Sequence, residues 1–148
     1  MIKRKLMKVS KRVARLEIGE EKKGLRLMLD REKWGAAKLE AYNILVECAK
    51  MRRMITYSEL CRRITALKID PHTEIGYLLG EIAVEDRTVK RGMLTALVVH
   101  KIGDLSPGGG FFEIAEEMGI KVGDRDEFWI NEVKKVFKDW TKKSEEIA

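Results

Sequence analysis

The sequence predicts an α+β fold: a winged helix-turn-helix core, with an N-terminal hairpin before it and a C-terminal helix after it. Three observations lead there. Apolar residues recur at three- and four-residue steps through long stretches, the spacing of helices packed on one face. Two short runs, 54–57 and 93–99, are β-prone instead. From residue 31 the element types follow the order helix, short strand, helix, helix, strand, glycine loop and a further short strand. In that order the second and third helices form a reading unit and the strand–loop–strand a wing.

Taken in order, residues 13–29 read as the hairpin. Ala14, Leu16 and Ile18 alternate with Arg15 and Glu17; Leu25, Leu27 and Leu29 enclose Arg26 and Met28; Gly19 and Gly24 bracket a charged turn. Upstream, Ile2, Leu6, Val9, Val13 and Leu16 also step by four and three, as in a helix or short coiled coil. Asp30 is placed to cap a helix over 31–53 with the stripe Trp34, Ala37, Ala41, Ile44, Leu45, Cys48 and Met51. After the short strand, Ser58 is the expected cap of a helix over 59–64, and Asp70-Pro71-His72 a linker. Thr73 then caps a helix marked by Ile75, Leu78, Leu79, Ile82 and Ala83. Residues 93–99 are almost wholly apolar and read as a buried strand; 103–110, rich in glycine, form a loop. Phe111 opens a short helix that stops at Gly119, and Asp124 with Glu127 approximates a capping box. The last helix carries Trp129, Val133, Val136, Phe137 and Trp140 on one face. The chain thus divides into a basic arm and hairpin over 1–29, a winged-helix-like core over 30–119, and a C-terminal helix packed on it over 120–148.

The 148 residues suit one domain, and 45% are hydrophobic, enough for a single core. No apolar run reaches the roughly 18 residues of a membrane helix, and no signal-peptide region follows the charged start, so a cytoplasmic protein with no membrane partner is expected. The formal charge is +6, and residues 1–24 account for all of it, with nine basic side chains against three acidic ones. A basic arm on a neutral body is one footprint of nucleic-acid binding; a solubilising surface is the other reading. Cys48 and Cys61 form no CxxC pair, and His72 and His100 stand at no metal-ligand spacing, so buried thiols and no metal or cofactor are expected. There is no Gln and only Asn43 and Asn131 for Asn, while 36% of residues are charged, the composition of a thermophile protein.

Residues 42–119 resemble the C-terminal domain of the alkylguanine-DNA alkyltransferases and alkyltransferase-like proteins. Ile55-Thr56-Tyr57-Ser58-Glu59-Leu60 is similar to the family's strand-into-helix segment with its tyrosine, Leu79-Gly80 to the Val-Gly pair of its recognition helix, and 93–110 to the strand, active-site segment and glycine loop that follow. The resemblance implies the scaffold and duplex DNA as partner. It also implies that alkyl transfer is absent: the acceptor motif falls near Ala96-Leu97-Val98-Val99, without a sulfur or the activating histidine, and the arginine that fills the gap of a flipped base falls near Tyr77. The blocks LLGEI, MLTALVVHK and PGGGFF also resemble a small prokaryotic domain from which no function carries over.

The function expected is non-catalytic binding of duplex DNA, in repair or regulation, mainly through phosphates. The contact residues expected are Tyr57, Ser58, Arg62, Arg63, Tyr77, Arg87, Lys90, Arg91 and Lys101. Against simple groove reading, the helix beginning near Thr73 carries Glu74, Glu81 and Glu85 and no basic residue. Two other readings stand beside it. One is a protein-interaction module or homodimer joined through the acidic third helix and the Trp-bearing C-terminal helix. The other is a metal-dependent nuclease using Glu81, Glu85 and Lys101.

Overall fold

The computed structural model describes residues 18–86, 89–100 and 106–147. The fold is α+β, with five α-helices among the described residues and one small sheet. The elements are α1 (Ile18–Lys50), β1 (Ile55–Thr56), α2 (Tyr57–Arg63), α3 (Glu74–Glu85), two 3₁₀ turns (Val89–Arg91 and Leu94–Leu97), β2 (Val98–Val99), α4 (Gly109–Glu117) and α5 (Arg125–Ile147).

Helix α1 is the first correction. It runs straight through the segment expected as a hairpin, so Asp30 lies inside the helix and caps nothing. Residues 19–33 contain no β-branched side chain; Leu, Met, Glu, Lys and Arg all favour helix, and two isolated glycines cost only about 1 kcal/mol each. The part of the expected hairpin before Ile18, and the heptad-like spacing upstream, lie outside the described residues. From Ala37 the stripe meets the core: Ala37, Ala41, Ile44, Leu45, Cys48 and Ala49 are buried against α5 and the turn at 94–97. Alanine at three of these positions lets the neighbouring backbone come close.

The sheet is a parallel pair, Ile55 opposite Val98 and Thr56 opposite Val99. Strand β2 is shorter than the seven-residue strand expected. Leu94–Leu97 instead coil into a 3₁₀ turn, with Ala96 N–H donating to Met93 C=O at 2.9 Å. All four side chains are buried, and the Trp129 indole N–H donates to Ala96 C=O at 2.8 Å. An apolar run reads alike as strand or buried turn when every side chain is enclosed. Among the described residues no second wing strand forms; beyond β2, His100 N–H donates to Ser106 C=O at 3.0 Å.

The cap of α2 is Thr56, whose hydroxyl accepts the Glu59 N–H at 3.1 Å, so Ser58 stands inside the helix, contrary to expectation. The connection from α2 to α3 hangs on Glu40 of α1. Its carboxylate accepts the Thr65 N–H at 2.8 Å, the Ala66 N–H at 2.9 Å and the Thr65 hydroxyl at 3.1 Å. Thr73 occupies the cap position of α3 without a side-chain bond; Asp70 serves the turn instead, its carboxylate accepting the His72 N–H at 2.7 Å.

Helix α5 seats on Gly92, which has φ +97° and where a Cβ would lie 2.7 Å from Val136 Cγ2 and 2.9 Å from Glu132 C=O. Asp124 caps α5 as expected, accepting the Glu127 N–H at 2.9 Å. Val133, Val136 and Trp140 are buried, and Trp129 and Phe137 pack partly against the core. The expected stop of α4 holds too: Gly119 has φ +81°, and Ile120 N–H returns to Ala115 C=O at 2.9 Å. Cys48 and Cys61 are buried, and burial raises both thiols above their usual range, Cys61 to about 11.

Candidate functional site

A pocket of about 460 Å³ opens where the start of α2, one face of α3, the end of β2 and the first turn of α4 converge. Local sequence explains each wall. The Thr56 cap turns the chain sharply out of β1, which aims Tyr57 and Ser58 at the cavity. Helix α3 presents its small residues there, Gly76, Gly80 and Ala83, between Ile75 and Leu79. Helix α4 begins with Gly109 and Gly110 after its cap Gly108, so its first turn approaches without side chains.

Tyr57 is the keystone. Its hydroxyl oxygen accepts the Gly108 N–H at 2.8 Å, and a Cβ at Gly108 would come within 3.1 Å of that oxygen. Burial raises the phenol's pKa, an effect the Gly108 N–H partly offsets. Because the oxygen accepts from Gly108, its own proton is left for another acceptor. The His100 ring lies tilted against the Tyr57 ring, centroids 5.2 Å apart. Thr95, only 6% exposed, and His72 complete the polar lining, with Phe111 and Ile114 on the apolar side. Among the described residues no Asp, Glu, Lys or Arg lines the pocket, and neither cysteine does. Such a lining suits a largely apolar ligand oriented by a few polar groups.

The residues expected at the site are dispersed. Tyr57 and Ser58 meet at the pocket, and Arg62 stands one helical turn beyond Ser58 on the exposed side of α2. Arg63 is exposed and pairs with Glu47 at 3.5 Å. Tyr77, 76% exposed, projects from α3 next to Gly76 and Gly80 of the wall. Lys90 is exposed but away from the pocket. Arg91 is turned inward, its guanidinium donating to Asp139 C=O at 3.1 Å and stacked 4.2 Å from the Trp140 ring centroid. Arg87 and Lys101 lie outside the described residues.

Two of the three carboxylates of α3 have partners on α1. The Trp34 indole N–H donates to Glu81, and Lys38 pairs with Glu85 at 2.8 Å. Among the described residues no group of three or more His, Cys, Asp or Glu could hold a metal. Nor is any helix among them long and apolar enough to cross a membrane. Sequence reasoning missed His72, Thr95, His100 and Gly108 as lining residues. Gly108 belongs to the glycine run that was read as a loop; the other three carried no signal of their own, because the pocket joins segments distant in sequence. The segment Ala96-Leu97-Val98-Val99, where the acceptor motif of the resembled family falls, is buried and does not line the pocket. No protein-family model, curated protein or solved structure matches the chain.

Proposed function

We propose that the chain binds duplex DNA without catalysing a reaction, and that the pocket receives one base drawn out of the stack. The observation carrying this reading is the chemistry of the pocket's described lining: free of carboxylates, lysines and arginines, walled by glycines and aromatic rings, with hydroxyls and imidazoles at its edge. A base extruded from a duplex is flat and uncharged and is read by hydrogen bonds at its edge and by stacking. In this reading α2 and α3 form the helix-turn-helix of a winged-helix scaffold, as the alkyltransferase resemblance implies. Tyr77 stands beside the mouth as a wedge for the vacated stack. Arg62 and Arg63 supply phosphate contacts. The ion pair of Glu85 with Lys38 of α1 offsets part of the charge opposing an approach of α3. The absence of a thiol from the pocket supports binding without alkyl transfer.

A fluorescence titration tests it. The full chain is expected to bind a duplex at about 50 mM salt, with log K falling by about 0.9 per log salt for each phosphate contact. A 2-aminopurine at the bound position should brighten as it leaves the stack. Tyr77→Ala should weaken binding about tenfold, the size of a lost base–aromatic stack, without moving the melting temperature. No duplex binding at that salt, or binding with no brightening and no effect of Tyr77→Ala, overturns the reading.

A further inference from the structure

The geometry points to a second nucleic-acid contact, a lysine-lined cleft on α5 that holds the phosphate backbone of the duplex flanking the pocket. This inference rests on the DNA-binding reading above. The cleft, about 470 Å³, lies between α5 and the segment joining it to α4. Lys121 comes from that segment, and Lys134, Lys135 and Lys138 from the face of α5 opposite its buried Val133, Val136 and Trp140. The single carboxylate on the lining is Glu132, 4% exposed, whose Oε2 has no hydrogen-bond partner and lies 3.9 Å from Lys135 Nζ. Among the described residues no carboxylate pairs with Lys121, Lys134 or Lys138. Four cations therefore face one sunken, nearly uncompensated carboxylate, and the surplus is positive.

The spacing fits a polyanion. Lys134 and Lys138 are one turn apart, about 6 Å along the helix axis. One DNA strand presents a phosphate about every 3.4 Å along the duplex axis. The cluster thus spans a few consecutive phosphates. An anionic membrane fits less well, because surface helices hold lipid through apolar side chains as well as charge. The apolar residues of the cleft, Ile120 and Phe128, are half-buried against the core, and Phe128 is engaged with Phe111 and Phe112 at centroid distances of 5.9 and 6.5 Å. Phe111 also lines the pocket, so one aromatic layer lies between the two sites.

The test replaces Lys121, Lys134 and Lys138 together by Ala, and in a second variant by Arg, in the full chain, leaving Lys135 beside Glu132. All three are exposed and unpaired with any carboxylate among the described residues, so both variants should melt like the wild type. With a duplex of about 20 base pairs, the Ala variant is expected to lose more than tenfold in affinity at about 0.1 M salt, and its salt slope to shrink by about 3. The Arg variant should keep both. Wild-type binding with an unchanged slope in the Ala variant overturns this inference and leaves the pocket reading standing. Failure of the wild type to bind duplex at about 50 mM salt defeats both. Tighter binding to phosphatidylserine vesicles than to DNA, lost in the Ala variant, reassigns the cleft to lipid and overturns the inference as stated.

Discussion

Glu40 and Glu132 are the same residue type, each on a long helix and each turned toward another segment of the chain, and they titrate in opposite directions. Glu40 holds the α2–α3 connection, and the donors it accepts from, the Thr65 N–H first, lower its pKa despite some opposing desolvation. Glu132 is enclosed under α5, and burial raises its pKa against the weaker pull of Lys135 and the Met93 N–H. The difference teaches that donor supply decides whether an inward carboxylate contributes to the fold or opposes it. A glutamate meeting two backbone N–H groups at an open edge is held as an anion. One beside a single lysine at 3.9 Å, with an oxygen left over, is held nearer neutrality.

The largest expected effect breaks this contrast at Glu132. Gly92→Ala adds a methyl in a left-handed conformation, against Val136 Cγ2 and the backbone of α5. Strain and overpacking together should cost about 3 kcal/mol. Displacing α5 also admits water to Glu132, so the variant's carboxyl should titrate closer to the usual range, which side-chain NMR can follow. A variant as stable as wild type would show that α5 does not rest on Gly92.

Glu40→Ala comes next. It removes the acceptor from Thr65 and Ala66 and should cost about 1 kcal/mol at neutral pH, since water replaces part of what is lost at this open site. A lowered pKa means the contribution is complete above the unfolded value and disappears as pH falls through the folded one. The difference between variant and wild type in urea unfolding should therefore close on acidification below the usual carboxylate range. A difference independent of pH would place the effect in packing instead.

The smallest effect sharpens the comparison from the other side. Glu132→Gln keeps the shape and discards the charge. With a raised pKa, wild-type stability is highest while the group is protonated and declines as pH rises from the ordinary carboxylate range through the folded value. The Gln variant should escape that decline and gain a few tenths to about 1 kcal/mol near pH 8. A loss of stability there would mean that the charge of Glu132 is needed to hold Lys135.

The same distinction explains what was legible in the sequence. Periodic burial was readable: Ile75, Leu78, Leu79, Ile82 and Ala83 are all buried as the spacing of α3 implied, and Asp124 caps α5 from its local pattern alone. Expectations failed where a segment is decided by what surrounds it. Within the run at 93–99, residues 94–97 coil because α1, α3 and α5 enclose them, and Trp129 from a distant helix satisfies Ala96. The hairpin failed because alternating Leu25, Leu27 and Leu29 are also good helix formers, continuous with a packed helix. At the site, Tyr57 was found and its partner Gly108, fifty-one positions away, was not. The lysines of α5 passed unnoticed because Asp126, Glu127, Glu132 and Asp139 balance them in sequence; only folding hides Glu132 and separates the signs.

The parallel pairing of β1 with β2 carries a kinetic consequence. Two strands of two residues each, joined across about forty intervening positions, have too few bonds to offset the entropy of closing that loop unaided. They can meet only after α2 and α3 have collapsed between them, so the pair belongs to the late side of the folding barrier. Weakening it, for example by Val98→Ala, should therefore leave the refolding rate nearly unchanged and appear as faster unfolding. The shortest element of the fold would then set how long the native state lasts.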